Sequence, residues 1–106
     1  MGVDVTLARI VQEGTSPRRR ATSSIAVVPD DGDVLARVLP TSGLPMLARV
    51  DPDGDVVLSG SEMVLDELRV LVSRSARSDV AVVDRVVALA ERCRRDPGTE
   101  LRFEGG

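Results

Sequence analysis

Phe103 is the sole aromatic side chain in this chain of 106 residues, and that scarcity limits what its core can be. With no Trp and no Tyr, the interior has to be assembled from Val, Leu and Ala around one large plug. Valine is stiff at χ1 and favours strands, although packed helices tolerate it. A chain of this length buries about two-thirds of the surface its unfolded form exposes, so one core is feasible without staples. Hydrophobic residues make up 42% of the chain and mean hydropathy is +0.03, a globular balance. The length fits a single domain, residues 1–106.

Periodicity places the elements. Val3, Val5, Leu7 and Val11 alternate with Asp4, Thr6 and Ala8, so residues 3–11 read as a strand. Residues 14–24 are polar and contain Pro17, which predicts a loop. Residues 24–28, with the apolar run Ile25 to Val28 ended by Pro29, read as a second strand paired with the first. Val34, Leu35, Val38 and Leu39 suit a short helix capped by Asp30 or Asp31, with a strand as the other option. Met46–Val50 and residues 55–58 flank Asp51-Pro52-Asp53-Gly54-Asp55, and one reading of that arrangement is a hairpin.

Two amphipathic helices follow. Ser59 stands three residues before Glu62, at capping-box spacing, and Val64, Leu65, Leu68, Leu71 and Val72 form one stripe, which predicts a helix at about 60–74. Val82, Val83, Val86, Val87, Leu89, Ala90 and Cys93 predict a second helix at about 79–95, with Ser78 as its cap and Arg92, Arg94 and Arg95 complementing its dipole. Residues 100–104 read as a last strand inserted beside the first. The expected fold class is α+β: a small, mostly antiparallel sheet packed on one face by two C-terminal helices.

Composition narrows the chemistry. All fourteen basic residues are Arg, a bias that with abundant Ala, Val, Gly and Asp points to a high-GC bacterial gene. Net charge is −3, and residues 30–62 carry seven acids against two Arg. That balance is the opposite of a nucleic-acid footprint. The chain has no His, Lys or Tyr, which removes Ser-His and Cys-His pairs, Schiff-base lysines and most general bases that act near neutral pH. Cys93 on the apolar side of a helix reads as a small core residue. A catalytic Asp or Glu would need a shaped apolar pocket. One cysteine allows no internal disulfide and fits a reducing cytosol. The first residues match a myristoylation pattern but read better as a strand, and no apolar run predicts a signal peptide or a membrane span, so the expected location is cytoplasmic.

Three segments are candidates for binding. The first is the twelve residues Asp51 to Glu62. Asp51, Asp53, Asp55, the Val57 carbonyl, Ser59 and Glu62 stand where oxygen ligands stand in the calcium loop of EF-hand proteins, which this segment resembles. The resemblance implies calcium as a ligand. It departs from the family at Val56, where the sharp turn calls for glycine, and no second loop is present. The same residues also make a plain turn followed by a capped helix. The second candidate, Arg18, Arg19 and Arg20, suits a protein interface better than nucleic acid, since no aromatic lies near to stack a base. The third is the terminal Gly105-Gly106, which resembles the diglycine tail of ubiquitin-like proteins and bacterial sulfur carriers; a frayed end is its plain reading.

Residues 44–104 resemble a group of small bacterial proteins from high-GC genomes. The shared features are Leu47-Ala48-Arg49-Val50-Asp51-Pro52, then Gly54-Asp55, two helices, Ala90-Glu91-Arg92-Cys93-Arg94, and Leu101-Arg102-Phe103-Glu104-Gly105. In that group the place of Asp53 is often aromatic and that of Glu62 an amide, a pattern that would not hold calcium. The resemblance implies a fold neighbourhood and no activity. The leading expectation is therefore a non-enzymatic protein-binding module, a partner or an immunity-type inhibitor, using Asp51, Asp53 and Asp55 on an acidic surface. The alternatives are a calcium-binding protein, a diglycine-tailed carrier, or a small carboxylate-based enzyme. The expected partner is another protein, with neither nucleic acid nor membrane, and an open strand edge offers a route to a homodimer.

Overall fold

The computed structural model describes residues 2–12, 20–58 and 62–105. Among them four strands form one antiparallel sheet: β1 (Asp4–Gln12), β2 (Arg20–Val28), β3 (Asp55–Leu58) and β4 (Thr99–Glu104), in the spatial order β2-β1-β4-β3. The helices are α1 (Val34–Val38), α2 (Glu62–Arg74) and α3 (Arg77–Arg95), and α2 and α3 pack on one face of the sheet. This is the α+β arrangement that the periodicities predict, with β4 seated between β1 and β3.

Register sets which side chains reach the core. Val5 stands opposite Phe103 and Leu7 opposite Leu101. On the other side of β4, Val56 faces Phe103 and Leu58 faces Leu101. Phe103 is thus fully buried at the middle of the sheet, under Val64, Leu65, Leu68 and Leu71 of α2 and Val82, Val83, Val86, Leu89 and Ala90 of α3. Cys93 is buried in the same cluster.

The structure corrects three local readings. Strand β2 begins at Arg20, inside the stretch read as loop. Its first residues carry no apolar alternation, and what holds them is antiparallel pairing with Ala8 to Gln12 of β1. Residues 46–50 make no hairpin with β3: Leu47–Arg49 is a 3₁₀ turn, and β3 pairs with β4 instead. The cause is Glu67 of α2, a buried carboxylate that accepts the Met46 N–H (2.9 Å) and the Leu47 N–H (3.0 Å) while Leu47 and Val50 enter the core. Finally, α3 starts at Arg77 with no side-chain cap. Buried Asp79 lies in its first turn, where negative charge is favoured, and receives the Arg37 guanidinium from α1 at 3.2 Å.

Asp30 performs the capping expected of it, by a longer route. Its carboxylate accepts N–H bonds from Leu35 (2.8 Å) and Ala36 (3.0 Å) at the start of α1, and from Val3 (2.9 Å) before β1. One side chain so ties the exit of β2 to the entry of β1 and to α1. From there the chain runs past the helix layer and reaches the far edge of the sheet at β3.

Candidate functional site

The sheet topology brings acidic groups from separate parts of the chain to one end of the sheet. Asp4 opens β1, Glu104 closes β4 and Asp55 opens β3. Asp4 stands directly opposite Glu104, and Glu104 directly opposite Asp55, so three carboxylates form one row across three strands. Two acidic turns flank the row. On the β2 side, the Asp30 N–H bonds Asp4 Oδ1 at 3.0 Å, and exposed Asp31 and Asp33 follow. Gly32 and Asp33 are both left-handed, with φ of 71° and 57°, a conformation glycine and aspartate accept more readily than most residues. Arg85 reaches Asp31 at 4.0 Å, a long surface pair.

On the β3 side is the turn that the sequence singles out. Asp51 Oδ1 accepts the Asp53 N–H (2.9 Å) and the Asp51 carbonyl accepts the Gly54 N–H (3.2 Å). The turn is fastened to the end of β4, because the Gly105 N–H bonds the Gly54 carbonyl at 2.9 Å. A Cβ at Gly105 would lie 2.5 Å from the carbonyl oxygens of both Asp51 and Pro52, so the approach requires glycine. Asp51, Asp53 and Asp55 are all exposed beside this contact.

Below the carboxylate row, on the sheet face turned away from the helices, is a second row. Val27, Thr6, Arg102 and Val57 are consecutive cross-strand partners over β2, β1, β4 and β3. Val27 is 52% exposed and Val57 48%. Thr6 between them is 5% exposed and gives its hydroxyl to Glu104 Oε1 at 2.9 Å. No known family, curated protein or solved structure matches the chain. Its function has to be read from these two rows and their surroundings.

The remaining candidate residues fall elsewhere. Glu62, the last oxygen of the calcium-loop pattern, is exposed and bonded by Arg94 of α3 at 2.6 Å. Among the described residues no three His, Cys, Asp or Glu side chains form a group able to hold a metal. Ser59, Arg18, Arg19 and Gly106 lie outside the described residues. Arg20 starts β2 opposite Gln12, at the other end of that strand from Asp30. Between α2 and α3, Arg69, Glu91, Arg94 and Arg95 line an open depression of about 310 Å³. Arg69 there meets Glu91 at 3.5 Å and Asp66 at 3.8 Å, and Arg95 bonds the Glu91 carbonyl at 3.2 Å.

The Asp96 carboxyl belongs to a structural latch. Arg9 of β1 bonds Asp96, just past α3, at 2.7 Å. That bond, aided by the Gly98 N–H, holds the Asp96 carboxyl below its ordinary value. No described helix is long and apolar enough to cross a membrane.

The sequence singles out Asp51, Asp53 and Asp55 as candidates but not Asp4, Glu104, Val27 and Val57, which the fold places near them. These last four occupy the polar phase of strands whose apolar phase is core. Alternation identifies that phase but cannot say which strands lie side by side.

Proposed function

We propose that this chain is a non-enzymatic binding module for another protein, which it meets through the acidic end of its sheet. The observation that carries this reading is the row Asp4–Glu104–Asp55. Like charges placed directly opposite one another in a sheet oppose folding. Binding a cationic partner would relieve that repulsion. Adding the two acidic turns gives a surface that attracts an Arg- or Lys-rich partner, speeds its approach and fixes its orientation. An immunity-type inhibitor covering a basic cleft is one form of such a module. The lack of His, Lys and Tyr in the chain supports recognition over catalysis.

The test is cross-linked capture from the native host at low salt, comparing the wild type with a variant carrying Asp51→Asn, Asp53→Asn, Asp55→Asn and Glu104→Gln. The expected result is a basic partner that the wild type retains and the variant loses, and that about 0.5 M salt releases. Equal retention by the two proteins, or turnover of a substrate by the purified chain, overturns the reading.

A further inference from the structure

We infer that the partner docks on the sheet face turned away from α2 and α3 as an amphipathic helix, with aliphatic anchors at Val27 and Val57 and Lys or Arg on the flank that faces Asp4, Glu104 and Asp55. This inference rests on the binding reading above and specifies its surface and its partner chemistry. Three observations lead to it.

The first is that two half-exposed valines adjoin the acidic row, with buried Thr6 and the Arg102 side chain between them. Val27 and Val57 are half exposed at the two ends of one cross-strand row, and Ile25 nearby is 39% exposed. The carboxylate row is two residues further along the strands, about 7 Å away. A ligand held by charge alone has no use for the valines, and one held by apolar contact alone has no use for the carboxylates.

The second observation concerns the sheet edges, the other places where a partner could add. At β2 the pairing shifts between Leu7/Ala26 and Ala8/Ser24, leaving Ile25 as an extra residue in the edge strand. Such a bulge twists an edge away from further pairing. The opposite edge, β3, is four residues long and starts with a charged residue, Asp55. Both devices discourage strand addition, which leaves the face.

The third is fit. Four strands place Val27 and Val57 about 14 Å apart across the sheet. A helix lying along the row covers that span with about nine residues, so anchors at i, i+3 or i+4, and i+7 reach from one valine towards the other. A helix is about 10 Å wide, so its basic flank falls over the carboxylate row. The charge sign selects the occupant: a second copy would bring the same carboxylates onto this face, whereas a cationic segment is drawn to it.

The test uses a synthetic Leu/Lys/Ala peptide of about 15 residues, long enough to be helical, with a Leu stripe beside a Lys flank. A permuted peptide of identical composition without the stripe is the control. Both are titrated into the full chain by calorimetry and by amide-shift NMR at low salt. The striped peptide should bind at least about tenfold more tightly, and Val27→Ser with Val57→Ser should remove that advantage. Both substitutions are at exposed sites, and a melting curve verifies that the variant is folded. The largest shifts should fall on residues 6, 27, 57 and 102. Equal affinity for the two peptides, or shifts confined to residues 31–33 and 51–55, overturns the helix-on-face inference and leaves the acidic-end reading standing. Shifts centred on α2 and α3, or self-association that Val27→Ser abolishes, also overturn it. If neither peptide binds, both readings fall.

Discussion

Replacing Glu67 tests how the segment leading to the acidic turn is held in place. The Glu67 side chain is buried, at 7% exposure for the residue, and its Oε1 accepts N–H bonds from Met46 at 2.9 Å and Leu47 at 3.0 Å. Glu67→Ala takes the acceptor from the buried Leu47 donor and the part-buried Met46 donor. An orphaned buried donor costs about 1–3 kcal/mol, and a carboxylate that no longer needs desolvation returns part of the sum, so the expected net loss is about 2–4 kcal/mol. Glu67→Gln keeps an oxygen where both donors converge. It gives up the charge assistance and the weaker 3.2 Å contact from Met46 to Oε2, a loss of about 1–2 kcal/mol. Urea denaturation separates the two variants, and thermal melting should follow at several degrees per kcal/mol for a domain of this size. The expected order is wild type, Gln, Ala. An alanine variant within about 0.5 kcal/mol of wild type, or a glutamine variant as damaged as alanine, would refute the claim that this carboxylate anchors residues 46–50.

Three further outcomes can be measured on the purified chain. Glu104→Gln should stabilise the fold by about 0.5 kcal/mol at low salt, since it relieves repulsion from Asp4 and Asp55, and the gain should vanish near 1 M salt. Gly105→Ala should destabilise by about 1–3 kcal/mol, because its Cβ meets backbone oxygens that cannot move without unseating the 51–54 turn; hydrogen exchange at Gly54 and Gly105 should quicken in step. The Asp96 carboxyl is held below its ordinary 3.8 in the folded state, so as the pH drops the unfolded chain binds its proton first and stability is lost. That contribution is complete above about pH 4 and fades as the pH drops through the folded value, so Asp96→Asn or Arg9→Gln should flatten the acid limb of a stability–pH curve and leave its slope near pH 7 unchanged.

The stripe of α2, the wide apolar face of α3 and the alternation of β1 were legible in the chain because each is a periodic pattern that one element imposes on its own residues. Three features were not. The start of β2 carries no such pattern and exists through its partner strand. Residues 46–50 look like half of a hairpin until Glu67, about twenty positions away, is seen to take their N–H groups. Ser78 has the right chemistry for a cap, but α3 begins one residue earlier.

For the candidate site the division is sharper. Local sequence was enough to show that Asp51, Asp53 and Asp55 lie in an exposed turn and that residue types suited to proton transfer near neutrality are scarce. The placing of that turn at the same end of the sheet as Asp31 and Asp33, Asp4 from one end of the chain and Glu104 from the other was decided by strand order and register. So was the cross-strand row that ends in Val27 and Val57 beneath them. A strand's own pattern says which side chains share a face, whereas which strands become neighbours, and at what offset, is settled by how Phe103 and its aliphatic neighbours pack beneath the helices.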